Sequence, residues 1–160
     1  MTSDIFAKIG TIQGESTDAK HKNEIDVLAW SWGVMQSGSM AYGGAGGTRK
    51  ASFNDFNFTH HIDKATPLLM KACAVGTHIP DATITVRKAG KGQQEYLVMK
   101  MTDVLITSVT MSVVEGAPDT AENVMLQFAK VDLEYKPQKA DGSLDVGLHF
   151  KYDIKANKVG

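Results

Sequence analysis

The stretch FNDFNFTHHIDKATPLLMKACAVG, residues 53–76, contains a change of hydrophobic spacing from two residues to three or four. Its first half alternates apolar and polar side chains, which is typical of a β-strand. In its second half Thr66 precedes Pro67, an order that predicts a threonine N-cap followed by a proline in the first helical position. Gly76 is suited to a left-handed C-cap. The stretch therefore predicts a strand and then one short helix, whose apolar face would consist of Leu68, Leu69, Ala72, Cys73 and Val75.

Most of the remaining chain has the two-residue spacing of strands. The spacing changes face between Phe128 and Val131, which predicts a β-bulge or bend near residues 129–130. About eight strands and one helix indicate an antiparallel barrel or sandwich. We expect a single domain over residues 1–160: a mainly β, antiparallel β-barrel with one flanking α-helix. The predicted strands cover residues 4–9, 24–34, 56–62, 82–87, 96–101, 104–114, 122–135 and 148–154.

The strand predicted over residues 24–34 carries two tryptophans, Trp30 and Trp32, two positions apart. Large aromatic side chains are typical of a core, so we assign their side of the strand, with Leu28, to the barrel interior. The opposite side is small and neither strongly apolar nor charged, which suits a surface that lines something. That side consists of Val27, Ala29, Ser31 and Gly33.

A long glycine-rich loop, MQSGSMAYGGAGGTRKA, follows at residues 35–51. A phosphate-binding Walker loop needs Gly-Lys-Ser/Thr leading into a helix, whereas this loop leads into a predicted strand, so phosphate binding is disfavoured. Loops of this length are usually disordered or functional. Two interpretations stay open: a floppy surface loop, or a segment that orders against a neighbouring subunit. In the second case the contact residues would be Met40, Tyr42, Gly43, Gly44, Gly46 and Gly47.

Composition and charge exclude several functional classes. Seventeen basic and eighteen acidic residues give a net charge of −1, so there is no basic field to attract nucleic acid or an anionic membrane. No window approaches the roughly 20 apolar residues of a membrane span. The N-terminus MTSDIFAKIG lacks the features of a Sec signal, so we expect folding in the cytoplasm. The single cysteine, Cys73, excludes an internal disulfide framework.

The five histidines do not form a recognisable metal or catalytic motif. None is spaced i, i+4 from another, and adjacent His60 and His61 would point to opposite faces of a strand. We therefore assign His60 a structural role. The chain has no Gly-x-Ser-x-Gly elbow, and its acidic residues, including Asp103, Glu115 and Glu122, are expected to be solvated at strand ends. We predict no catalytic residues, no metal site and no cofactor.

A series of short segments is distributed along nearly the whole chain in this order: residues 12–16 (IQGES), 24–27 (EIDV), 30–33 (WSWG), 63–67 (DKATP), 72–74 (ACA), 78–82 (HIPDA), 122–124 (ENV) and Tyr135. Taken together, these segments resemble the haemolysin-coregulated proteins (Hcp), the tube subunits of bacterial type VI secretion systems. The final strand, LHFKYDIKANK, is a looser match.

The resemblance implies a β-barrel flanked by one helix, similar to phage tail tube proteins, that assembles as a homo-hexameric ring. Such rings stack into a tube inside a contractile sheath, carry the spike protein (VgrG) at the tip, and hold small effector proteins in the lumen. The subunit would be cytoplasmic when assembled and then secreted by the type VI machine without a Sec signal. On this basis we predict that Val27, Ala29 and Ser31 face the lumen and effectors, and that the loop at residues 35–51 contributes to ring stacking or subunit contact.

Two other functional classes are less well supported by the sequence. A small-ligand-binding β-barrel of lipocalin type would need an open interior, but two tryptophans and a row of phenylalanines would fill it. An enzyme with a histidine–metal site would need ligand spacing that the five histidines do not have.

Overall fold

The computed structural model describes residues 3–36, 50–88, 92–117 and 119–160. This part of the chain contains one helix and eleven strands, and every strand pairing is antiparallel, which confirms the predicted fold class. The elements are β1 (Ser3–Ile9), β2 (Ile25–Asp26), β3 (Ala29–Ser31), β4 (Val34–Met35), β5 (Ser52–Phe53), β6 (Phe56–His60), α1 (Thr66–Val75), β7 (Ile79–Lys88), β8 (Glu95–Ser112), β9 (Ala121–Tyr135), β10 (Leu148–Asp153) and β11 (Lys158–Val159).

Nine of these strands belong to one sheet, in the order β11-β10-β9-β8-β7-β1-β2, with β6 and β3 attached through β9. The long strand β9 has two successive partners in addition to β8. Its first half pairs with β6, and its second half, from Lys130 onward, pairs with β10. The short strands β4 and β5 form a separate two-stranded sheet. The sheet therefore branches at β9.

The tryptophan segment is not one continuous strand, as the sequence predicted, but the three short strands β2, β3 and β4. Between β2 and β3, Val27 donates its N–H to the Ile5 carbonyl of β1 (2.9 Å), and Leu28 donates to the Thr59 carbonyl of β6 (2.8 Å). The change of partner breaks the alternation of faces. Val27 is 8% exposed and Leu28 is 51% exposed, which reverses the predicted sides. The segment links the β1 and β6 sides of the sheet, and a closed barrel stays a prediction.

Strand β8 is continuous, whereas the sequence predicted separate strands over residues 96–101 and 104–114. Its pairing with β9 is interrupted between Thr102↔Lys130 and Val104↔Phe128, where Asp103 has a left-handed backbone with φ of 55°. The register does not shift near residues 129–130, where the sequence predicted a bulge or bend; it shifts between Ile106 and Ser108. Both strands nevertheless change their buried face at this interruption, from Met101 and Val131 on one side to Val104 and Phe128 on the other.

Helix α1 has the predicted position, and Gly76 has the predicted left-handed C-cap, with φ of 67°. The N-cap is Ala65 and not Thr66. The local reason is Asp63, whose carboxylate accepts the Ala65 N–H (2.8 Å) and whose own N–H is donated to Thr66 Oγ1 (3.2 Å). Asp63 therefore shapes the helix start.

The buried stripe of α1 is narrower than the sequence predicted. Leu69 and Ala72 are buried as expected and Cys73 is half-buried, but Leu68 and Val75 are exposed. The helix rests against one side of a sheet, so that only one line of side chains is covered. Leu69 joins a core whose other fully buried large apolar side chains are Ile9, Ile25, Phe56, Phe58, Ile84, Met99, Met101, Ile106 and Leu126. Each such side chain stabilises the fold by about 1.5–3 kcal/mol.

The loop between β1 and β2 is fixed to the sheet by a buried arginine. Arg87 of β7 is 3% exposed and donates to the carboxylates of Asp18 (2.9 Å) and Asp4 (3.2 Å), while its guanidinium lies 4.8 Å from the Phe6 ring centre. The hydrogen bond from Arg87 holds the pKa of Asp18 at about 2, below its usual 3.8. The ionised carboxylate thus keeps Arg87 paired throughout the physiological pH range.

The turns after β7 and β9 can be compared with the sequence only in part. The predicted turn at residues 89–92 lies outside the described residues except for Gly92. The Asp141-Gly142 turn is confirmed, because Asp141 accepts the Ser143 N–H (3.0 Å) and Gly142 has φ of 90°. The sequence did not predict β11.

Gly14→Ala is expected to destabilise the fold by about 1–3 kcal/mol, because overpacking against backbone is not relieved easily. A Cβ at this position would lie 2.6 Å from the Glu24 carbonyl and 2.8 Å from Ile25 Cα. Gly33→Ala is the matched control, since its closest neighbour is the flexible Asn54 amide at 3.2 Å. Urea unfolding of both variants checks this expectation, and equal loss of stability in the two would contradict it.

Candidate functional site

A row of small polar side chains crosses four strands on the side of the sheet opposite the core. Ala29 of β3 pairs with Thr59 of β6, Thr59 pairs with Asn123 of β9, and Asn123 pairs with Thr110 of β8. Paired residues on adjacent strands lie on the same face of a sheet. A second row runs parallel to the first. We call the eight residues of the two rows the polar face: Ala29, Thr59, Asn123, Thr110, Ser31, Asn57, Met125 and Ser108.

The polar face offers hydrogen bonds but no charge. The Asn123 side-chain amide donates to Thr59 Oγ1 (3.2 Å) and to the side-chain oxygen Oδ1 of Asn57, so these three side chains hold one another in place. Met125 is its one large apolar residue. A surface of this kind can contact many polypeptides without a fixed charge that would select one of them.

The reverse side of the same strands is aromatic and rigid. Trp30 stacks on Phe56 with ring centres 5.4 Å apart, and both Phe56 and Phe58 are fully buried. Trp32 stacks on Phe53 at 5.7 Å. Both tryptophans pack against the core, as the sequence predicted. The polar face therefore has a stiff support.

Two of the three predicted lumen residues lie on the polar face. Ala29 and Ser31 are exposed there, and their lumen role stays a prediction. Val27 is buried in the core, so its predicted place on a lining surface is wrong, because its backbone is bonded to β1 and its side chain points inward. The predicted contact residues Met40, Tyr42, Gly43, Gly44, Gly46 and Gly47 lie outside the described residues.

Sequence reasoning missed the other six residues of the polar face. Alternation alone places Asn57 and Thr59 on one side of their strand and Ser108 and Thr110 on one side of theirs. It does not reveal that these strands are neighbours of β9, since the residues that meet are far apart in the chain, such as Asn57 and Asn123, whose side chains are hydrogen-bonded across 66 positions.

One rung beyond the polar face, β6 and β9 carry a buried ionisable pair. His60 pairs with Glu122, and the imidazole Nε2 lies 2.7 Å from the Glu122 carboxylate. Both side chains are fully buried. The expectation of a structural His60 is consistent with this contact, whereas the expectation of a solvated Glu122 is wrong, because the strand pairing places it against His60 beneath the sheet.

A second carboxylate connects His60 to the helix. His60 Nδ1 lies 3.7 Å from Asp63, which shapes the start of α1. Burial lowers the pKa of His60, but the carboxylates of Asp63 and Glu122 outweigh it, so the pKa lies above the usual 6.5. A protonated His60 can donate Nε2–H to Glu122 and attract Asp63, and thereby ties β6, β9 and the helix start together.

The described residues contain no group of three or more His, Cys, Asp or Glu side chains that could hold a metal ion. Helix α1 is ten residues long, and in the part of the chain that the structure describes no helix has the length and hydrophobicity needed to span a bilayer.

Comparisons with known sequences and structures match this chain to type VI secretion proteins. Residues 6–135 match the family described as "Type VI secretion system effector, Hcp". The chain is 50% identical to Protein hcp1 of Pseudomonas aeruginosa over 98% of each chain. It superposes on a solved type six secretion system protein with a TM-score of 0.92 and 26% identity, covering 99% of this chain and 100% of the other. It also superposes on Hcp1 of Salmonella typhimurium with a TM-score of 0.80 and 38% identity, over 100% of both chains.

The His60–Glu122 pair predicts a pH-dependent stability. Because the His60 pKa is raised in the folded state, its contribution is fully present below about pH 6.5 and is lost as pH rises through the folded-state pKa. Thermal unfolding at a fixed protein concentration should show that His60→Gln narrows its stability gap to the parent protein as pH rises from 6 to 9. Glu122→Ala should cost about 3–5 kcal/mol at pH 6, because it removes the hydrogen-bonded partner of the buried His60 and leaves only Asp63, at 3.7 Å. A gap that does not change with pH would contradict the assignment.

Proposed function

This chain belongs to the Hcp family of type VI secretion proteins, and from that premise we propose that it is a structural subunit of the secretion tube. In this proposal, subunits assemble as hexameric rings that stack inside a sheath beneath a VgrG spike. The rings carry small effector proteins in their lumen. The subunit works without catalysis, and it leaves the cytoplasm through the type VI machine together with its cargo.

The polar face is the observation that supports a carrier role most directly. Its residues are uncharged, and apart from Met125 they are small. Contacts between such a surface and a cargo protein are weak individually, because a neutral hydrogen bond exchanged with water contributes about 0.5–1.5 kcal/mol. Many weak contacts around a ring would retain a cargo, while each one could be released without breaking a buried ion pair.

The rigid backing of the polar face supports the same role. A lumen wall must keep its diameter while cargo enters and leaves. Phe56 and Phe58 are fully buried directly behind Asn57 and Thr59, so the wall cannot collapse without creating voids in the core. The same packing fills the space that a small-ligand-binding barrel would need for its ligand, which is why we favour the carrier over that alternative.

Negative-stain electron microscopy of the purified protein should show open six-fold rings at micromolar concentration. The expectation follows from the proposal that the subunit is a tube component. Native mass spectrometry under the same conditions should give six copies of the 17.3 kDa chain. A clean monomer at high protein concentration in both measurements would refute the proposal.

Ser31→Arg is expected to reduce effector retention by at least about tenfold, equivalent to roughly 1.4 kcal/mol. The substitution adds bulk and charge to the polar face without touching the core. Ser3→Arg is the matched control, since Ser3 is exposed on β1, outside the polar face. The measurement is the amount of effector that copurifies with each ring. If both variants retain cargo equally, Ser31 does not face the lumen.

A further inference from the structure

We propose that neighbouring subunits join when the apolar tip of the β8–β9 hairpin of one copy inserts into a groove beside helix α1 of the next copy. This inference rests on the proposed ring and specifies which surfaces close it. The tip comprises Met111, Val113, Val114, Glu115 and Asp119. The groove residues that matter here are Lys8, Ile12, Leu68, Lys71 and Pro80.

The tip projects from the sheet and exposes apolar side chains. Strand β8 pairs with β7 only as far as Val104 but continues to Ser112, so the end of the hairpin extends beyond that neighbour. Val113 is 67% exposed and Val114 is 64% exposed, and Met111 beside them is also exposed. Adjacent exposed aliphatic residues on a projecting turn are a common sign of an interaction site.

The tip is also negatively charged. Residues 111–121 contain Glu115 and Asp119, both exposed, and no lysine, arginine or histidine. Its partner surface should therefore be apolar in the centre and positive at the rim.

The groove beside α1 has this character. It lies between the helix, the turn after β1 and the start of β7, and has a volume of about 470 Å³. Ile12, Leu68 and Pro80 are among its apolar lining residues, and Leu68 is 48% exposed although the sequence placed it on the buried face of the helix. Lys8 and Lys71 line it as exposed cations, against one carboxylate, Asp81.

The tip and the groove are complementary to each other, but neither surface is complementary to a second copy of itself. A ring with rotational symmetry needs a heterologous contact, in which two different patches of the same chain meet. Val113 and Val114 would occupy the apolar groove, and Glu115 and Asp119 would approach Lys8 and Lys71. Tip against tip would bring like charges together, as would groove against groove, so the charges favour the head-to-tail arrangement.

A disulfide experiment tests the contact directly. In a Cys73→Ala background, Leu68→Cys combined with Val114→Cys should form intersubunit disulfides under mild oxidation, giving covalent ladders up to the hexamer on a denaturing gel. Reductant should return them to monomer. The two single-cysteine variants and the pair Leu68→Cys with Val146→Cys are controls, since Val146 is exposed near the opposite end of β9. If microscopy shows rings of the double variant but the denaturing gel shows only monomer, this inference is wrong and the proposed function stands. If the parent protein forms no rings, both are wrong.

A charge-swap experiment tests specificity. One variant carries Glu115→Lys and Asp119→Lys, and the other carries Lys8→Glu and Lys71→Glu. Each alone should need at least tenfold more protein to form rings, because its own tip and groove repel. An equimolar mixture should assemble into rings with three copies of each, measured by native mass spectrometry, while circular dichroism checks that each variant is folded. Ring formation by either variant alone at the parent concentration, or no assembly of the mixture, would overturn the proposal.

Discussion

The antiparallel ladder between β8 and β9 is the constraint on which the rest of the structure depends. It is the longest pairing in the described chain, running from Leu97↔Tyr135 to Ser112↔Ala121. Because β9 is longer than β6 and β10, the edge of β9 that does not face β8 pairs with β6 in one half and with β10 in the other. Asp103 and Ala129 lie where this change occurs, and the buried side chains of both strands change face there. The two halves of the β8–β9 ladder therefore bury opposite faces of the same strands.

The half of the ladder that carries β6 organises the polar face, and it ends at a buried ion pair. The cost of burying Glu122 is offset only while His60 is close and protonated, and Asp63 adds a second carboxylate from the helix start. A local charge arrangement therefore links the sheet to α1. Helix α1 also borders the groove that is proposed to receive the next copy. The His60–Glu122 pair would then hold the strands of the polar face and the groove beside α1 in a fixed relation.

The two proposed surfaces of the subunit have different physical characters, which suits their different tasks. The polar face is uncharged and stiffly supported, which suits the weak contacts with cargo that we propose. The hairpin tip and the α1 groove are apolar at the centre and oppositely charged at the rim, which favours a durable and directional contact. The proposed tube subunit would need both, because its rings would have to persist while their contents are exchanged.

The sequence by itself determined the fold class, the position and C-cap of α1, the inward-facing tryptophans and the change of buried face within β9. These features depend on spacing and on neighbours a few residues away, such as Gly76 after Val75 or the change of apolar parity between Phe128 and Val131. Tertiary structure decided which strands are adjacent, and so only it could reveal the polar face and the His60–Glu122 pair. It also buried Val27 and exposed Leu28, since a strand that changes partner in its middle loses the alternation that sequence reasoning assumes. Leu68 is a similar case: helical spacing makes it a core residue, but α1 is covered along one narrow line, and its buried residues are Thr66, Leu69 and Ala72.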